Sequence, residues 1–222
     1  QRAWRRRAAV AVRAVACRPL RKGTRAAKPR MTSLAGPGAP WPIKEAQTAM
    51  TDPARIDVHQ HLIPPDRARA IADRAAAQGW PAPAWDKRSA IAMMDRRAIA
   101  TGILSYAAPV QGPDDAPGRA RTVARGVNEY TAELVKDRPD RFGQFAVLPL
   151  PDVDGALAEA SHALDDLDAD GVMVLSNAQG RYLGDPAFEP LWSDLDARAA
   201  VVLVHPATPP GAGVPGLPGP LV

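Results

Sequence analysis

Arg55-Ile56-Asp57-Val58-His59-Gln60-His61 is the stretch on which both the fold and the chemistry turn. It reads as a short buried strand whose C-terminal end carries two histidines two residues apart. Successive side chains on a strand alternate sides, so His59 and His61 point the same way, with Cα atoms about 6.5–7 Å apart. Two imidazoles so placed both reach one metal ion at about 2.0–2.1 Å. Alone, the pair is a weak signal. Its plainer reading is two histidines at a strand end, one hydrogen-bonded and one solvated, and the rest of the chain has to choose between the two.

Downstream, strand-like and helix-like stretches alternate. Pro64-Pro65 opens a helix running to Gln78, and after the loop Gly79-Trp80-Pro81-Ala82-Pro83-Ala84-Trp85, Asp86 is the expected N-cap of the next. Ile91, Met94 and Ala98 fall on one face of that helix. Thr101–Tyr106 is an apolar strand, and Val123, Val127, Tyr130 and Leu134 form the stripe of a third helix that ends before Pro139. Gly143–Leu148 is a strand, and Leu157, Ala160, Leu164 and Leu167 mark a fourth helix. His162 sits off that stripe among acidic neighbours and is expected as a solvated helix residue. Gly171–Leu175 is a continuous apolar strand leading into Ser176-Asn177. A loop over 180–184 precedes the N-cap Asp185-Pro186, and Phe188, Leu191, Trp192, Leu195 and Ala199 face inward on the next helix. Val201–Val204 is a fifth buried strand, ending in His205-Pro206.

This order, βα four times and then a strand, indicates a parallel sheet. Four units separate His61 from His205 at about 36 residues each, so eight would need on the order of 290 residues, a length suited to a (β/α)8 TIM-type barrel. The expected fold is α/β: such a barrel, incomplete here, with about its first five strands and four helices. An open doubly wound sheet is the alternative. Against it, histidines stand where a Gly-rich phosphate loop would follow the first strand. In a barrel, reactive groups gather at the C-terminal ends of strands. His59 and His61 end strand one and His205 ends strand five, so all three can converge on one metal, with a fourth position for another protein group or water.

Composition narrows the function classes. The chain has 222 residues, 46% of them apolar, and a single cysteine, Cys17, which excludes an internal disulfide framework and any Cys-rich zinc module. That suits a reducing compartment, and a cytoplasmic location is expected. No apolar run suggests a membrane span. The net charge of +4 averages two unlike pieces: residues 1–44 hold 12 bases and no acid, leaving 16 bases against 24 acids, or −8, over the remainder. The acidic body shows no basic module for nucleic acid. Residues 1–50 are expected to be a disordered basic extension, with Met31 or Met50 as candidate initiators and a transit peptide as the less favoured reading. Ala35-Gly36-Pro37-Gly38-Ala39-Pro40 marks a linker, and residues 51–222 form the N-terminal part of the barrel. The stretch Leu217-Pro218-Gly219-Pro220 reads as an interrupted mid-domain loop.

HQH on the first strand, LSN after the fourth, GRYLGDPAFEPLW entering a helix and VVLVHP on the fifth together resemble the amidohydrolase-related family of metal-dependent barrels. Within it, the aminocarboxymuconate-semialdehyde decarboxylase-like group is the nearest match, and GWPAPAW, FAVLPLPDVDGALAEA and HPATPP look like its 6-methylsalicylate decarboxylase members. The resemblance runs from Arg55 onward. It implies a divalent metal, zinc foremost and manganese as the alternative, held by His59, His61 and His205. It also implies an acid/base histidine after strand six and a metal-binding aspartate after strand eight, both beyond residue 222. The implied activity is non-oxidative decarboxylation of a small hydroxylated aromatic acid, by an enzyme that is a homodimer at full length. Asn177 and Ser105, at strand ends, are candidates for substrate hydrogen bonds. Asn177 serves equally as a turn-stabilising residue, and Arg181, Trp80 and Trp85 are read first as a solvated arginine and packing tryptophans. A hydrolase of the same superfamily, such as a lactonase, and an inactive partial barrel are the competing readings.

Overall fold

The computed structural model describes residues 55–77, 79–110 and 118–209. The expected basic extension, the 35–40 linker and the 217–220 stretch lie outside the described residues. Strand β1 (Arg55–His61) leads through a 3-10 turn at Pro65–Arg67 into helix α1 (Ala68–Ala77), followed by α2 (Lys87–Arg96), β2 (Ile99–Ser105), α3 (Arg119–Asp137) and β3 (Phe142–Val147). Helix α4 (Val153–Ser161) runs on into a π-turn at His162–Asp166. Then come β4 (Gly171–Leu175), a small hairpin of β5 (Asn177–Ala178) and β6 (Arg181–Tyr182), a 3-10 turn at Pro186–Phe188, α5 (Glu189–Ala197) and β7 (Val202–His205).

The five main strands form one sheet in the order β1-β2-β3-β4-β7, parallel throughout. Among the described residues, strands join in sequence order with no reversal and so with no switch point of the doubly wound kind. This is a half-barrel of the (β/α)8 type, as expected, and the open-sheet alternative is set aside. The helices cover one face. Leu104 and Phe142 pack with Met94, Leu134 and Val135, while Ala146, Val172 and Val174 pack with Ala156, Ala160, Leu191 and Leu195.

Beneath α3 lies a buried polar brace. The Asn128 side chain mimics a strand against Val147: its Nδ2 donates to the Val147 carbonyl at 2.9 Å and its Oδ1 accepts from the Val147 amide at 2.9 Å. Nδ2 also donates to Glu159 at 2.8 Å, whose other oxygen accepts from Arg125. The Asn128 amide and both Glu159 carboxylate oxygens have partners, as burial demands.

Several expectations need correction. Strands β1 and β7 are not buried: Val58 and Val204 are each 52% exposed, because among the described residues each strand pairs on one side only. Ala98 and Ala199 do not extend helical faces. Both lie just past a helix end with left-handed φ of 52° and 49°, the conformation that stops a helix. His162 is not solvated: its side chain is 21% exposed, with Nδ1 2.9 Å from Asp166 and Nε2 3.7 Å from Glu129. The 180–184 loop contains β6, reversed through Gln179 and Gly180, both at positive φ as a two-residue hairpin turn requires. Asp86 caps α2 as expected, accepting from the Ser89 amide at 2.9 Å, and Asp152 and Asp185 cap later turns in the same way.

Candidate metal centre

Five strands about 4.8 Å apart would set the first and last some 19 Å from each other in a flat sheet, farther than two imidazoles span together. Here the Nε2 atoms of His61 and His205 lie 3.1 Å apart. The sheet therefore curls far enough for imidazoles from its two edges to meet across the C-terminal ends of the strands, and that curvature builds the site. The Nε2 atoms of His59 and His61 are 2.9 Å apart, and the three ring centroids are separated by 4.9, 5.0 and 5.0 Å. One ligand atom from each histidine lies within 4.8 Å of the others.

Hydrogen bonding does not account for this cluster. His205 Nδ1 donates to the Pro206 carbonyl at 2.7 Å, a tautomer that leaves a lone pair on its Nε2 in the neutral ring. Two contacts meet at the one Nε2 of His61, so at most one of them is a good hydrogen bond. His61 is exposed taken as a whole, yet its ring lies against the other two. Lost water, then the His205 and His59 rings, hold its pKa below the ordinary histidine value, with Asp57 opposing them. Neutral imidazoles offering lone pairs to one point are the donor set that a divalent cation takes. Ligands about 2.0–2.1 Å from an ion stand roughly 2.8–3.4 Å apart for right-angled to tetrahedral geometry, a range that the two Nε2 separations meet.

Each arm of the site is tied down by a side chain that sequence reasoning passed over. On β1, Asp57 Oδ1 accepts from the His59 amide at 3.1 Å. Gln60, between the two histidines, faces the other way and is buried against Gly102, where an added Cβ would meet its Oε1 at 1.8 Å. Beyond β7, Ser176 Oγ accepts from the Ala207 amide at 3.0 Å while the Ser176 amide donates to the His205 carbonyl at 2.8 Å. The Ser176 brace had a faint signal, a hydroxyl residue directly after an apolar strand.

The remaining candidates fall in different places. Ser105 is the register partner of His61, fully buried, and its Oγ has no partner among the described residues. Asn177 is buried and its Nδ2 donates to the Thr208 carbonyl at 2.8 Å. Trp85 packs against the α2 cluster, whereas Trp80 and Arg181 are exposed.

A half-barrel with three histidines converging at its strand ends is a candidate metal-binding barrel. Residues 56–220 match the amidohydrolase family model, and the chain belongs to that family. It is 42% identical over 158 residues to decarboxylase yanB of Aspergillus niger, an alignment covering 68% of this chain and 43% of that one. To 6-methylsalicylic acid decarboxylase of Penicillium expansum it is 37% identical, covering 70% of this chain and 49% of that one. A crystal structure of dihydroxybenzoic acid decarboxylase from Polaromonas, with bound manganese and the inhibitor 2-nitroresorcinol, superposes with a TM-score of 0.56 at 26% identity, covering 70% of this chain and 50% of that one. The chain thus spans about half the length of the curated relatives it matches.

Proposed function

We propose that this chain carries the histidine arm of a metal-dependent decarboxylase acting on a small hydroxylated aromatic acid of the 6-methylsalicylate type. The observation that carries the reading is the convergence of His59, His61 and His205, from opposite edges of the sheet, on one point. The similarity to decarboxylases of such acids supports the substrate class.

In this reading the three Nε2 atoms hold one divalent ion. Three imidazoles favour zinc, and the manganese of the Polaromonas structure keeps that metal as the alternative. A bound ion would supply positive charge to a phenolic or carboxylate oxygen of the substrate. The chain's own residues do the rest of what can be assigned. The Pro206 carbonyl holds His205 in the ligating tautomer. The Ser105 hydroxyl, in register with His61 and without a partner among the described residues, is the group we assign to a substrate or water oxygen. Asn177 contributes through the backbone it braces and through its remaining carbonyl oxygen. A homodimeric, cytoplasmic enzyme completes the proposal. Among the described residues no helix is long and apolar enough to cross a membrane.

The hydrolase alternative uses the same ion to activate water. Protein made from the whole reading frame that encodes this chain, loaded with zinc or manganese, separates the two. CO2 release from 6-methylsalicylate or a close relative, with no hydrolysis of a lactone panel, is the expected result. Lactone hydrolysis without CO2 release would overturn it.

A further inference from the structure

Strand β1 is irregular where it carries its histidines. Asp57 pairs with Gly102 and Gln60 with Leu104, so three steps along β1 match two along β2. One extra residue is therefore accommodated between Asp57 and Gln60, a bulge that holds Val58 and His59 out of the ladder. A bulge turns its residues away from the regular pleat, and it releases a backbone amide that needs another acceptor. Asp57 supplies that acceptor: its Oδ1 takes the His59 N–H at 3.1 Å, two residues on, closing a local side-chain turn. The ring carried by that backbone ends with Nε2 2.9 Å from the Nε2 of His61.

We propose that Asp57 is a positioning residue of the metal centre, acting through the backbone: its carboxylate fixes the bulge that aims His59 at the point shared with His61 and His205. It makes no bond to the ion. Two independent observations carry the assignment, the register shift and the side-chain hydrogen bond that fills the vacancy the shift creates. The proposal rests on the metal-centre reading above, and its test keeps the two separable. What matters in this account is an acceptor oxygen at one place, so Asp57→Asn, which keeps that oxygen and drops the charge, should be tolerated. Asp57→Glu keeps the charge but displaces the oxygen by a methylene, and should not be.

The test is zinc affinity of protein made from the whole reading frame that encodes this chain, measured by competition against a chromophoric chelator, together with the visible absorption of its cobalt(II) form. Far-UV circular dichroism and thermal melts check the fold. His59→Ala is the control for the metal site itself. The expected results are a loss of about tenfold in zinc affinity for Asp57→Ala and Asp57→Glu, the size usual for partners that orient a ligand, with Asp57→Asn within about threefold of wild type. The cobalt spectrum should shift in the Ala and Glu variants and persist in the Asn variant. Wild-type affinity in Asp57→Glu, or an Asp57→Asn as weak as Asp57→Ala, would overturn the positioning role while His59→Ala still lost the metal. Wild-type affinity in His59→Ala would instead remove the metal-centre reading. Should Asp57→Ala fail to fold, the Asn and Glu variants decide the question alone.

Discussion

The middle of the sheet and its edges divide the work. All six residues of β3 and the first four of β4 are buried, with helices packed on one face. Strands β1 and β7 leave Ile56, Val58, Val202 and Val204 exposed, yet they carry all three converging histidines. Stability therefore resides in strands with no chemistry, and the chemistry in strands with little stability of their own. The link between them is curvature, which brings imidazoles from the two edges together across the mouth of the half-barrel.

That division is tested by damage to each part in turn. His61→Ala removes the ring that touches both others, and should weaken zinc binding by about a hundredfold or more while leaving circular dichroism unchanged. Isothermal titration calorimetry checks the first part and a thermal melt the second. Asn128→Ala should do the reverse. It strips the amide and carbonyl of Val147 and one oxygen of the buried Glu159 of their partner, for about 3 kcal/mol lost in urea unfolding. Zinc affinity of the protein that remains folded should be unchanged.

Ser176→Ala strikes between the two regions. It removes the acceptor for the Ala207 amide, and should cost about 1 kcal/mol in urea unfolding and lower zinc affinity severalfold. The smallest effect is expected at the Asp152 cap of α4. The Arg121 fork and the Gly155 amide hold the Asp152 carboxyl below the usual carboxylate range. A lowered folded pKa contributes stability above the unfolded value of about 3.9, and that stability is lost as pH falls through the folded value. Asp152→Ala should therefore cost about 1 kcal/mol at neutral pH. The deficit should close in urea melts of both proteins taken at progressively lower acidic pH.

What the sequence made legible follows the same division. Alternating βα periodicity revealed the parallel order, and the two-residue spacing of His59 and His61 together with a third histidine at a later strand end pointed to their convergence. Residues whose role depends on register were hidden. Asp57 acts only because β1 slips by one residue against β2, and Asn128 reads as one more polar position within α3 until its amide is seen copying a strand. Exposure of β1 and β7 escaped notice because Val58 and Val204 look like core residues. Only the position of their strands in the sheet order makes them otherwise. Ala98 and Ala199 continued an apolar period by one place too many, since nothing local marks a left-handed alanine as a helix stop.

The most direct test of the central claim is anomalous diffraction from crystals soaked in zinc or manganese, recorded at the edge of that metal. The predicted result is one strong peak within roughly 2.0–2.3 Å of the Nε2 atoms of His59, His61 and His205 together. A peak that spares His205, or no peak among the three rings at saturating metal, would contradict it.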